Sequence, residues 1–315
     1  PGADTADGGA GNDLVLGSAG NDTIRGGPDN DSLFGGTNLS NDATGNDQLT
    51  GGDGDDLILG GDGADTVDGE GGNDEINGNT GNDFVYGGPG ADFARGGQGN
   101  DTVFGGADDD WHVNGNIGND LVYGGDGADT MFGGQGADSL FGEAGNDSMN
   151  GDLDDDTMRG GTGDDTMLGG GGDDSLLGDS SHDDLYGGAG SDTIDGGTGN
   201  DFISGGGGND YMYGGTGEDV FYFGSGGNID VIYDFNAAVD VMDIGKNINE
   251  TTIDTDAEIL AALVQWGSAV VVPLGADHAV ILLDTDVADL TGANFTFHDE
   301  RSVIGGGGNL FELGY

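Results

Sequence analysis

The chain has no cysteine and only 4 prolines among 315 residues. Without thiols, neither a disulfide framework nor a thiolate metal site can hold it together. The scarcity of proline excludes a collagen-like helix despite 74 glycines. Positive charge is nearly absent: Lys and Arg together number 5 against 61 Asp and Glu, for a formal net charge of −56. Those five residues (Arg25, Arg95, Arg159, Lys246 and Arg301) are scattered and form no basic patch. Nucleic acid and anionic membranes are thereby excluded as electrostatic partners, because both need a basic face. No apolar run approaches the roughly 18 residues that a membrane-spanning helix requires.

What remains is glycine, acid and a strict rhythm. A chain this acidic repels itself, so it either stays unfolded or folds around many cations. The segments GGDGDDLIL (51–59), GGDGADTVD (60–68), GGQGNDTVF (96–104) and GGTGDDTML (160–168) share the nine-residue pattern G-G-x-G-[ND]-D-x-U-x, where U is apolar. The sixth-position aspartates can be followed as Asp4, Asp13, Asp22 and Asp31, then after a break Asp47, Asp56, Asp65, Asp74, Asp83, Asp92, Asp101 and Asp110. After a one-residue slip they continue as Asp120, Asp129, Asp138, Asp147, Asp156, Asp165, Asp174, Asp183, Asp192, Asp201, Asp210 and Asp219, giving about 24 repeats. An acidic linker has no reason to place Ile24, Ile58, Val67, Val103 or Leu140 two residues after each of these aspartates.

A tripeptide x-U-x is too short to be a stable strand alone, and one apolar residue in nine makes a core only when repeats stack. The glycine-rich half supplies tight turns. Two repeats form one coil, so repeats n and n+2 lie above one another, at about 4.8 Å per parallel strand. About twelve coils give a rod roughly 55–60 Å long. Calcium takes six or more oxygen ligands, carboxylate or carbonyl. Each turn offers one Asp carboxylate and several Gly carbonyls, so Asp(n) and Asp(n+18) are predicted to share an ion, as with Asp56 and Asp74 or Asp165 and Asp183. About 18–22 ions would offset most of the negative charge. Distorted or missing sites are expected at residues 35–46, near Trp111 and His112 with Asn114 as an extra residue, and at 178–186, where Ser181 replaces the fourth-position Gly.

These repeats resemble the RTX (hemolysin-type) calcium-binding proteins, exoproteins exported by type I secretion. The resemblance covers about residues 1–222 by motif. It implies a secreted or cell-surface protein, a partnership with the type I secretion apparatus, a roll that folds on reaching high calcium, and calcium ligation by the sixth-position aspartates.

After Tyr222 the rhythm stops. NIDVIYDFNAAVDVMDI (228–244) reads as two short strands around a turn, and AEILAALVQW (257–266) has helical spacing. SAVVVPLGADHAVILLD (268–284) reads as a hairpin turning near Gly275–Asp277, and LTGANFTF (290–297) as a last strand. Asp230-Val-Ile-Tyr-Asp234-Phe235 resembles the segment that follows the final RTX repeat. The resemblance also places an uncleaved secretion signal in the last fifty or so residues. The expected fold is therefore all-β: a calcium-bound parallel β-roll over 1–222, and over 223–315 a small β-rich cap with one short helix and the secretion-signal region. An open roll end needs such a cap to cover its interior and strand edges.

The chain contains no HExxH, GxSxG or P-loop motif, and His112, His182, His278 and His298 have no zinc or catalytic spacing, so no enzyme is expected within it. His112 is read as a distorted core position. Tyr86, Phe104, Tyr123 and Phe141 fall about one coil apart at outward positions. Such a ladder either stacks upon itself or docks a partner domain or another copy. Residue 1 falls inside a repeat, which leads us to expect a fragment of a larger protein. Three readings follow: a secretion and folding module, a surface or lattice protein whose rolls associate, or the C-terminal part of a secreted hydrolase.

Overall fold

The computed structural model describes residues 2–36, 45–224, 228–245, 255–275 and 277–298. Residues 37–44, most of the first repeat break, lie outside that set, as do Lys246, Arg301 and the glycine-rich tail from 305 onward.

Two long sheets of 16 and 14 strands face one another, with successive strands of the repeats alternating between them. The repeat 60–68 shows why. Gly61 and Gly63 hold φ of 119° and 144°, where a Cβ would be strained, and turn the chain. Thr66–Gly71 then runs as a strand with Val67 fully buried and its neighbours outward. It pairs in parallel with Gln48–Asp53 on one side and Phe84–Pro89 on the other, in the register Leu49↔Val67↔Val85. One apolar side chain per repeat thus stacks into a single continuous core running from Val15 to Phe295. The methionines at that position (Met131, Met149, Met158, Met167 and Met212) are core filling in the same way.

All three irregularities are absorbed without breaking the sheets. Across the first break the register steps by more than a coil, with Ile24 on Leu49 and Leu33 on Ile58. At the second, the extra residue lies earlier than the sequence suggested. Val113, not His112, occupies the core and pairs with Ala94, while His112 is half-buried beside Phe93. Trp111 is the residue squeezed out and is 60% exposed. The reason is burial: an aliphatic side chain fits the dry stack, whereas an imidazole there would leave its nitrogens without partners. At the third irregularity, Ser181 adopts φ 90° and its N–H still donates to Thr198 O at 2.8 Å, so the turn keeps the glycine geometry.

The sheets continue past the last motif. Ile229–Ile232 joins one sheet and Val241–Gly245 the other, so these segments extend the roll by a coil rather than pairing together. The helix spans Asp256–Ala262, capped by Thr255, and ends earlier than its spacing suggested. Val264–Trp266 is pulled into a strand instead, against Ala269–Val271. The hairpin of Ala269–Pro273 and Ala279–Leu282 forms as expected. The last strand, Phe295–His298, starts after a 3-10 turn over Gly292–Asn294. No helix among the described residues is long and apolar enough to cross a membrane.

A row of buried carboxylates along both edges

The sixth-position aspartates stand at the junction of turn and strand, one per repeat. From Asp22 to Asp219 each is buried. Asp4 and Asp13, in the first described coil, are more exposed.

From Asp22 onward each carboxylate reaches back to the preceding coil, where Oδ1 accepts a main-chain N–H. Asp56 N donates to Asp74 Oδ1 at 2.8 Å, and Asp165 N to Asp183 Oδ1 at 2.9 Å. The ladder crosses both breaks: Asp22 donates to Asp47 at 2.7 Å, Asp31 to Asp56 at 2.7 Å, and Asp101 to Asp120 at 2.7 Å. No rung is lost at either break.

The other oxygen decides the chemistry. From Asp13 to Asp210, Oδ2 of every sixth-position aspartate is buried with no hydrogen-bond partner. A buried anionic oxygen without a partner is strongly unfavourable, and a whole row of them is untenable without compensating cations. Each Oδ2 opens into a cradle beside the first glycine of its repeat. A Cβ at Gly60 would lie 2.6 Å from Asp65 Oδ2 and 2.7 Å from Gly78 O, so only glycine leaves that space free. Carboxylate and carbonyl oxygens meeting in such a space are the hard donors calcium prefers. No group of three or more acidic, His or Cys side chains converges among the described residues. One carboxylate per turn, completed by main-chain carbonyls, does not require such a group.

The electrostatics agree. Burial, and secondarily repulsion from Asp47, pushes the Asp65 carboxyl up to about 7, against a lowering by the Asp47 N–H. The same causes, with Asp92 and Asp129 as repelling neighbours, raise Asp110 to about 8. Asp156 reaches about 8 through burial and through Asp138 and Asp174. Without cations, the roll holds its carboxylates against their preference to be charged.

The fifth position, which sequence reasoning left unassigned, forms a second ladder in the opposite sense. Asp55 Oδ1 accepts the Asn73 N–H at 2.9 Å and Asn73 Oδ1 accepts the Ala91 N–H at 3.0 Å. The [ND] choice in the consensus was the available signal. The proposed aromatic ladder is real but half-buried. Tyr86, Phe104, Tyr123 and Phe141 stack on one another at 4.7, 4.7 and 5.0 Å, so their faces are largely spent on each other.

The family description for the RTX calcium-binding nonapeptide repeat matches in ten stretches, some of them overlapping, from 1–33 and 43–76 through 195–230. The chain belongs to the RTX calcium-binding repeat family. Proteins of this family are typically secreted, and type I export is their usual context. No curated protein matches this RTX chain. Among solved structures it is similar to the extracellular lipase LipA from Serratia marcescens, at 18% identity and a TM-score of 0.24. That match covers 91% of the RTX chain and 40% of the lipase, so the chain spans about two fifths of that protein's length.

Proposed function

We propose that this RTX roll is a calcium-triggered folding and stabilising module of a larger extracellular protein, exported unfolded and folded on reaching high calcium. The buried, unpartnered Oδ2 row carries the reading. Asp(n) and Asp(n+18), with the glycine carbonyls of their turns, are the residues that would hold the ions. Calcium, when bound, supplies the positive charge that these oxygens lack. The chain supplies the rest: glycines that keep the cradles open, main-chain N–H groups that fix each Oδ1, and an apolar stack that closes only when neighbouring coils are docked. Where ions are scarce, the carboxylates repel and the coils separate. A site with a dissociation constant of about 0.1 mM, exposed to about 10 mM calcium, contributes about 2.7 kcal/mol. Summed over stacked coils, that makes folding steep in calcium.

Replacing Asp165 and Asp183 together by Ala tests the pairing. Those two aspartates serve the pairs 147/165, 165/183 and 183/201. The double variant should bind about three fewer ions while the C-terminal cap stays folded, as read by equilibrium dialysis with metal analysis. An unchanged ion count would refute the pairing of aspartates one coil apart.

A further inference from the structure

The two rows of carboxylates do not simply run out at the last repeat. Each is continued by one aspartate of the cap. Asp210 N donates to Asp230 Oδ1, and Asp219 N donates to Asp240 Oδ1, both at 3.1 Å, repeating the rung that joins every earlier coil. Both residues are buried, at 3% exposure each. Their second oxygens differ from the rest of the ladder. Asp230 Oδ2 faces His278 Nε2 at 3.4 Å, the two side chains being 5% and 4% exposed. Asp240 Oδ2 accepts the Asn236 N–H at 2.6 Å. At the two positions where the ladder ends, a protein nitrogen stands against the oxygen that from Asp13 to Asp210 is buried without a partner.

The neighbouring groups fit the same purpose. The strand Ala279–Leu282 pairs in parallel with Ile229–Ile232, and this holds His278 at the end of the row. Asp234 accepts the N–H groups of Gly214 and Gly215 at 2.9 and 2.8 Å, satisfying donors that a further repeat would otherwise engage. Phe235, 6% exposed, packs into the core against Phe221, with ring centroids 6.0 Å apart.

We propose that His278 and the Asn236 main chain replace the cation at the two ends of the ladder. The ion series then stops at the pairs Asp192/Asp210 and Asp201/Asp219, and the junction between roll and cap closes without calcium. This rests on the calcium reading above and specifies which carboxylates that reading leaves out.

Anomalous diffraction from crystals of the intact chain grown in calcium tests it directly. Peaks are expected along both rows as far as Asp210 and Asp219, and none at the carboxylates of Asp230 or Asp240. A peak at either overturns the proposal while leaving the roll's calcium binding intact. Peaks nowhere along the rows would overturn the calcium reading and this proposal with it. In solution, His278→Ala removes the imidazole and leaves Asp210 and Asp230 facing each other. It should add about one bound ion per chain, and His278→Ala combined with Asp230→Asn should return the count to that of the unaltered chain. A count unchanged by His278→Ala, in a protein whose cap remains folded, contradicts the proposal.

Discussion

Val103→Asp should split the roll. Val103 is fully buried and stacks between Val85 and Val122 in consecutive coils of one sheet. A carboxylate there has no donor within the dry stack, and the nearest ions would lie along the roll's edge rather than in its core. Leaving a buried charge unpaired typically costs about 3–5 kcal/mol. Because each coil contacts mainly its neighbours, the damage should be local, with two folded pieces joined by an open segment. In saturating calcium, limited proteolysis should cut near residue 103 and leave the flanking fragments resistant. Thr102→Ser, one position away on the outward face, should leave the digestion pattern unchanged. Resistance of Val103→Asp equal to that of the unaltered chain would mean that the apolar position does not face the core.

Without calcium, the roll should be favoured by acid, which is the opposite of the usual behaviour of paired carboxylates. An unfolded aspartate titrates near 3.9. In the ion-free roll, burial, with smaller contributions from neighbouring aspartates, lifts Asp65, Asp74, Asp83 and Asp120 to about 7 and Asp110 and Asp156 to about 8. The folded form therefore holds protons that the unfolded form has already released. Stability from this source is complete below about pH 4. It is lost as pH rises through the folded values of 6 to 8, because each carboxyl must then be charged while buried. Even at only about 1 kcal/mol per carboxyl, the rows together would outweigh the roughly 5–15 kcal/mol that holds a typical domain. In chelator, dilute protein should show more β signal by circular dichroism at pH 4 than at pH 8, and calcium added near pH 6 should release protons. More structure at pH 8 than at pH 4 would contradict the assignment of these carboxyls as buried and unpartnered.

Much of this was legible because the code is one-dimensional. A period of nine with an apolar residue two places after each aspartate admits few arrangements other than stacked coils, and the observed pairing follows the expected coil offset at almost every rung. Counting alone failed where geometry decides between adjacent residues. The slip near Asp110 could be placed before or after His112, and only the demand for an aliphatic side chain in the stack selects Val113. Asp230 and Asp240 were also missed as continuations of the ladder. Each is followed two residues later by a core residue, Ile232 and Met242, as in the regular repeats. The glycine turns that flag a repeat are absent there, so the spacing gave no rhythm to follow. The helix was read too long because Val264, Gln265 and Trp266 suit either state, and pairing with the following strand settles them. The meeting of Oδ2 and carbonyl in one cradle depends on coils that are neighbours in space but about 18 residues apart in sequence.

The calcium dependence of folding can be read most directly by far-UV circular dichroism at neutral pH, from chelator through a titration to about 10 mM calcium, with magnesium as the control. A disordered spectrum in chelator, a steep gain of β signal with calcium and little response to magnesium are the expected outcome. A roll already folded in chelator at neutral pH, or folded equally well by magnesium, would show that something other than calcium answers the buried carboxylates.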